Sequence, residues 1–265
     1  MATLRSEAVI LRTWPVHEAD LVVSFFTRDY GLLKGIAKSA LKSRKRFGGA
    51  LEPMTRIRAW FAEKPRQELV RLDQLEIVAS PLAAPVSHER LAVLSFLAEL
   101  LDESLPERDP QETVFRLLVA VLEQLSIGAA TPAAQTNESQ QTDLTSSTEP
   151  WMALTYFQLW MTRLLGLLPS LGHCTVCRDP LQPAEVFFHP HHDGLYCGLH
   201  RGLGAQQLAP DSWQMGQRML RAPITAFAAE PFPRRRATDL RRFTLQSLER
   251  HLERRLRSAE ALARL

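Results

Sequence analysis

The sequence predicts an α+β multidomain chain: a small N-terminal β-barrel, then an α-helical bundle interrupted by a short cysteine-bearing insert. Three observations predict it. Residues 1–80 hold five short runs rich in β-branched and aromatic side chains. Beyond residue 90 the apolar period changes from that of a strand to that of a helix. All three cysteines of the 265-residue chain fall between residues 172 and 204.

The strands are predicted at 8–11, 21–26, 31–37, 54–61 and 68–72. The fourth run alternates cleanly, with Ile57 and Phe61 on one face and Arg56, Arg58 and Trp60 on the other. Arg28-Asp29-Tyr30-Gly31 and Glu63-Lys64-Pro65-Arg66 read as turns between runs. Five short strands in about 75 residues suit a small five-stranded barrel of OB-fold type.

The helices follow from spacing. Leu94, Leu97 and Leu101 share one helix face. Asp109 as cap, Pro110 in the first position and Glu112 three after the cap predict a second helix, with Val114, Leu117, Val121 and Leu125 along it. Residues 131–150 are polar and lack aromatics and an apolar period, so a flexible loop is expected. A helix resumes near Trp151, with Leu154, Phe157, Met161, Leu164 and Leu168 in register. Residues 211–220 suggest a short helix. Thr238 is placed to cap a last one, whose stripe is Leu245, Leu248, Leu252 and Leu256 and whose other faces carry Arg241, Arg242, Arg250, Arg254, Arg255 and Arg257. The expected domains are 1–80 and 81–265, the second holding the 131–150 loop and a motif at 172–204.

That motif is Cys174-x2-Cys177-x19-Cys197-x2-His200. Two residues between donors let a tight turn aim both side chains at one ion, and Zn²⁺ takes four N/S donors in a tetrahedron. Four protein ligands leave no open position, so one structural Zn²⁺ per chain is expected, in a zinc-finger-like insert. His189, His191 and His192 lie between the knuckles, and one of them is an alternative to His200; His173 is expected to point away. The pairing of His-x-Glu with Pro-Cys-x-x-Cys that a zinc deaminase needs is missing, as are GxxxxGK[ST], GxGxxG and GxSxG. A non-enzymatic protein is therefore expected.

Charge is unevenly spread. Residues 1–80 carry 14 basic and 9 acidic groups, 81–150 carry 3 and 11, and 151–265 carry 15 and 9. Basic ends around an acidic middle suggest a polyanion partner. Lys34, Lys38, Lys42, Arg44, Lys45 and Arg46 crowd the end of the third strand, with no acid between Asp29 and Glu52. With Arg56 and Arg58 on the fourth strand they form the candidate nucleic-acid site, since cations neutralise phosphates and OB-folds use strands 2 and 3 and nearby loops. Arg234-Arg235-Arg236 is a third basic patch, equally readable as solvated surface. The first residues lack a secretory pattern, no apolar run reaches the ~18 residues of a membrane span, and three cysteines suit a reducing compartment. A cytoplasmic protein without membrane association is expected.

At this point the chain resembles the RecO family of bacterial recombination mediators. The resemblance rests on an ordered set: Glu7-Ala8-Val9-Ile10-Leu11, His17-Glu18-Ala19-Asp20, Thr27-Arg28-Asp29-Tyr30-Gly31, Ile36-Ala37-Lys38-Ser39-Ala40, Gly49-Ala50-Leu51-Glu52-Pro53, Gly166-Leu167-Leu168-Pro169 before the cysteines, and Leu256-Arg257-Ser258 near the end. It implies an OB-fold, a helical bundle and a zinc finger. It also implies binding of single- and double-stranded DNA, annealing of complementary strands, and work on the nucleoid with RecR and single-stranded-DNA-binding protein to load RecA. Much of the family has four cysteines where His200 takes the fourth place here. Residues 131–150 look like an insertion. The rival readings are an RNA-binding barrel of transcription or translation and a zinc-dependent nucleic-acid enzyme.

Overall fold

The computed structural model describes residues 3–16, 18–43, 46–63, 67–82, 86–127 and 149–265. It divides into two compact units, residues 1–131 with 256–265, and residues 132–255.

The first unit is built on a closed barrel of β1 (Thr3–Pro15), β2 (Leu21–Thr27), β3 (Gly31–Ala37), β4 (Arg56–Ala62) and β5 (Val70–Ala79), in the order β1-β2-β3-β5-β4. The five expected strands are present, but β1 and β5 run well past the expected 8–11 and 68–72. β1 is long because it serves two partners. Its first half pairs with β4 (Leu4 opposite Phe61) and its second with β2 (Trp14 opposite Val22). The register shifts between Ile10 and Arg12, the kind of bulge that bends a strand round a barrel corner. The barrel closes where β3 and β5 run parallel, Gly35 opposite Val70 and Ile36 opposite Arg71. A Cβ on Gly35 would lie 3.0 Å from Val70 Cγ2 and 3.2 Å from Phe25 Cε1, so a side chain there would crowd the seam.

Ile10, Val23, Phe25, Leu33, Ile57, Phe61 and Leu72 fill the barrel. Phe61 meets Phe25 and Tyr30 edge to face, with centroids 5.9 and 5.4 Å apart. Part of the outer face is apolar too: Val9, Leu11 and Phe26 are buried. Helix α1 (His88–Ser104) packs on β1, and α2 (Glu112–Ile127) brings Phe115 to 5.6 Å from Phe26. Ser87 caps α1 by accepting the Arg90 N–H at 3.2 Å, and Leu94, Leu97 and Leu101 are buried as expected.

The expected start of α2 at Asp109 is corrected. The helix begins at Glu112; Gln111 C=O accepts the Phe115 N–H at 2.9 Å, and the Asp109 carboxylate accepts the Gln111 side-chain amide at 2.8 Å. Residues 107–109 are held instead along β3. Glu107 bridges Leu32, the Arg108 N–H donates to Leu32 O at 2.9 Å, and a Cβ on Gly31 (φ 70°) would fall 2.2 Å from Asp109 O. Along α2, Val114, Leu118, Val121 and Leu125 are buried, while the expected Leu117 is half-buried.

Helix α6 (Arg257–Arg264) returns to α1. Glu99 accepts the N–H groups of Arg257 (3.0 Å) and Ser258 (2.8 Å) and the Ser258 hydroxyl, satisfying orphan donors of the first turn. The expected single last helix is therefore two. The earlier piece ends at His251, the chain turns through Glu253 (φ 53°), and Leu256, fully buried, belongs to the first unit.

In the second unit α3 (Glu149–Leu164), α4 (Pro210–Met219) and α5 (Thr238–His251) accompany a three-stranded sheet β7-β6-β8 of β6 (Phe187–His189), β7 (His192–Tyr196) and β8 (Gln206–Gln207). Leu154, Phe157 and Met161 are buried as expected, and α3 packs on α4 and α5. The α5 stripe runs through Leu240, Phe243 and Leu248, with Leu245 only half-buried. Thr238 is the first helical residue rather than the cap, a place held by Ala237 (φ 56°). Arg241, expected on a solvent face, is buried. It donates to Thr155 Oγ1 (2.9 Å), Thr238 Oγ1 (3.1 Å) and the carbonyls of Arg236 (2.8 Å) and Arg234, and lies over the Trp151 ring. Burial holds its guanidinium down to about 10. Of the loop expected at 131–150, residues 131–148 lie outside the described residues, and 149–150 begin α3.

Candidate functional site

The cysteine motif folds into one cluster in the second unit. After Cys174 the chain turns tightly: the Arg178 N–H donates to Cys174 O at 3.0 Å, and the Cys174 N–H to Asp179 O at 2.9 Å. The second knuckle turns likewise, the His200 N–H donating to Cys197 O at 3.1 Å. β7 joins the two, since the Thr175 N–H donates to Leu195 O (2.8 Å) and the Leu195 N–H to Thr175 Oγ1 (3.2 Å). Gly194 (φ 120°) is required at that crossing, because a Cβ there would lie 2.3 Å from Thr175 Oγ1.

One donor atom from each of Cys174, Cys177, Cys197 and His200 lies within 4.8 Å of the others. Cys177 and Cys197 sulfurs are 4.0 Å apart, and His200 Nδ1 is 3.2 Å from Cys197 Sγ and 4.0 Å from Cys174 Sγ. A tetrahedral Zn²⁺ with S and N donors at ordinary bond lengths has edges of about 3.5–3.8 Å, so this donor set fits the ion. Burial pushes the Cys174 thiol up, but the N–H groups of Cys197, Cys177 and Val176 outweigh it and hold it down to about 6. The Asp179 N–H favours a Cys177 thiolate, yet desolvation and the thiols of Cys174 and Cys197 push it up to about 11. The other histidines stand elsewhere. His173 Nδ1 is 3.3 Å from Ser170 Oγ. His189 Nε2 is 3.0 Å from Leu203 O, and its ring stacks with His191 and His192 at 5.6 and 4.5 Å. The alternative fourth ligands are therefore not brought to the cluster.

On the barrel the basic residues sort by what they already hold. Lys34 pairs with Glu107 (2.5 Å), Arg56 with Glu7 and with Glu123 (2.9 Å), and Arg58 with Glu76 (2.8 Å). Arg46 braces its own loop, donating to Ser43 Oγ (3.0 Å) and Lys38 O (2.8 Å) and lying over the Phe47 ring. Lys38 and Lys42 are exposed and carry no ion pair among the described residues. Arg44 and Lys45 lie outside the described residues. The described candidates thus lie on β3, the loop after it and β4, with β5 between the two strands, and among them only Lys38, Lys42 and Arg46 of the loop hold no ion pair with a described residue. Arg12, which lies 5.8 Å over the Trp14 ring, is a further cation with no ion pair among the described residues, and it falls outside the expected site. Its signal was the i, i+2 spacing on a strand, which puts Arg12 and Trp14 on one face.

The third basic patch is largely engaged. Arg234 lies over Trp151, and Arg236 pairs with Glu230 at 3.1 Å and lies over Phe232. Arg235 alone of the three is exposed. Among the described residues no helix is long and apolar enough to cross a membrane.

The fold and site define a class: an OB-fold protein whose second unit carries a closed Cys3His cluster. The family model described as recombination protein O N terminal matches residues 1–81, and the one described as recombination protein O C terminal matches 87–136 and 142–260. The chain is 47% identical to the DNA repair protein RecO of Koribacter versatilis (strain Ellin345), over 98% of each chain. It is 31% identical to the DNA repair protein RecO of Anaeromyxobacter sp. (strain K), over 97% of this chain and 94% of that one. The chain belongs to the RecO family.

Proposed function

We propose that the protein is a DNA-binding recombination mediator of DNA repair that makes and breaks no covalent bond. It binds single- and double-stranded DNA and anneals complementary strands on the nucleoid in the cytoplasm. With RecR it helps load RecA onto DNA coated by single-stranded-DNA-binding protein. Family membership and the relatives' names support the repair role. The observation that carries the DNA reading is the pair of exposed lysines, Lys38 and Lys42, that hold no ion pair among the described residues, at the loop end of an OB-fold barrel.

Cations at that end replace counterions on the phosphates of a strand and reduce its repulsion from a second strand, and base pairing drives the rest. Cys174, Cys177, Cys197 and His200 would hold one structural Zn²⁺, which supplies a cross-link between the two knuckles and no reaction chemistry. The test is strand annealing on DNA coated by the cognate single-stranded-DNA-binding protein, with and without RecR. Annealing stimulated by the protein, and RecA loading that needs RecR as well, is expected. No binding to DNA in either form, or tighter binding to RNA of the same sequence, would overturn the reading.

A further inference from the structure

The three sulfurs of the Cys3His cluster do not stand alike. Cys174 is fully buried, while Cys177 and Cys197 are half-buried, so solvent reaches two of the three. Those two lie on different knuckles, and their sulfurs are 4.0 Å apart. A disulfide bond is about 2.05 Å long, so a closure of about 2 Å joins them.

Backbone contacts keep this pair in reach. The Thr175 N–H donates to Leu195 O at 2.8 Å and the Leu195 N–H to Thr175 Oγ1 at 3.2 Å. Cys177 and Cys197 each stand two residues beyond this crossing. The crossing uses no metal-ligating side chain, so the knuckles are held side by side by more than an ion.

The donor set limits the chemistry. With His200 in the fourth place the cluster has three thiols, and the chain has no other cysteine. Joining Cys177 to Cys197 removes two of the four ligands. It leaves a buried thiol and an exposed imidazole, half of a tetrahedral set. Cys174 then has no thiol to pair with, so oxidation within the chain stops at one disulfide. Access, rather than basicity, chooses the pair, because all three cysteines are thiolates while they hold a metal.

We propose that Cys177 and Cys197 are a redox modification site, joined as a disulfide by a hydroperoxide with expulsion of the Zn²⁺. The inference rests on the metal reading above. One half-buried thiolate attacks the peroxide: an S–O bond forms, the O–O bond breaks, and the departing hydroxide takes a proton to become water. The second thiolate attacks that sulfenic sulfur: the S–S bond forms, the S–O bond breaks, and a second water leaves with a proton from solvent. The sulfurs lose two electrons, and one hydrogen peroxide becomes two waters. The new bond takes over the cross-link between the knuckles, so the second unit keeps its fold. It frees His200 and the turn around it, where Leu199 and Leu203 are 92% and 98% exposed.

The test uses the full chain loaded with Zn²⁺ and treated with hydrogen peroxide. A chromogenic chelator reads the released metal. Alkylation of the remaining thiols, then fragmentation of the linked peptides, reads the pairing. The expected result is loss of about one Zn²⁺ per chain, a Cys177–Cys197 link, and the alkyl group on Cys174 alone. A dithiol reductant with added Zn²⁺ should restore metal binding. Cys174→Ser should still form a link within the chain; should that variant fail to fold, the pairing in the unsubstituted chain decides alone. A link that includes Cys174, a link between chains, metal release with sulfinic or sulfonic acids only, or Zn²⁺ retained with all three thiols intact overturns the proposal. A chain that takes up no Zn²⁺ beforehand overturns the metal reading, and the expulsion with it.

Discussion

The Lys34 ammonium donates to the Glu107 carboxylate at 2.5 Å. That bond joins the basic barrel to the acidic segment that follows it. Arg28 with Glu112 and Arg56 with Glu123, both at 2.9 Å, repeat it. Glu107, Glu112 and Glu123 thus meet three of the barrel's basic residues inside the same unit, which offsets part of the positive charge of residues 1–80.

Glu107→Gln should therefore leave stability nearly unchanged, within ~1 kcal/mol, because both side chains are well exposed. Glu107 raises the pKa of Lys34 mainly through their hydrogen bond. The small contribution of the pair is present below the ordinary lysine range and is lost as pH rises through the raised value. Freed of its partner, Lys34 should steepen the salt dependence of single-strand binding by about 0.7 in log–log slope. Titrations across a salt series read this directly.

Lys38→Ala with Lys42→Ala should weaken single-strand binding at low salt and flatten the salt slope by about 1.4, two phosphates' worth. Arg58→Ala, which removes a cation already paired with Glu76, should change the slope much less. Equal effects from the two variants would mean that the ion pairs open when DNA binds.

Purified protein should carry about one Zn²⁺ per chain. Cys174→Ser should lose it and lower the unfolding temperature of the second unit, since a structural metal's binding energy is folding energy. His200→Ala should do so more mildly, because His200 is exposed where Cys174 is buried and water can replace it. Metal content by elemental analysis and melting with and without a chelator are the measurements.

Gly31→Ala should destabilise the first unit by at least ~2 kcal/mol. The residue sits at φ 70°, and its Cβ would collide with the Asp109 backbone, which no side-chain rotation can relieve. Equilibrium denaturation should show the loss. Gly49→Ala, which meets nothing within 4 Å, is the control.

The barrel was legible because its strands alternate and its turns carry their own signals. Its lengths were not: the polar ends of β1 owe their strand state to pairing with β2 and β4, which no local pattern announces. The gathering of the three cysteines was legible, since two tight knuckles are local and the gap between them only has to form a hairpin. Spacing alone did not separate His200 from His189, whose ring is instead directed to Leu203 O. Arg241 was misplaced because a helical wheel treats arginine as surface. Three carbonyl and hydroxyl partners from residues 234–238, with Thr155 on α3, drew it inward. The start of α2 was misjudged because Asp109 was needed beside Gly31.

Glu99 on α1 and Ser258 on α6 are separated by 159 residues. At ordinary rates of synthesis that interval is roughly 8–30 s. Throughout it α1 is made and its α6 partner is not, so the surface of α1 that receives Leu262 faces water as the rest of the chain emerges. Residues 132–255 are all in hand before the first unit has its last helix. The part of the molecule translated first is thus the part finished last, and a ribosome stalled anywhere before residue 256 leaves that unit open.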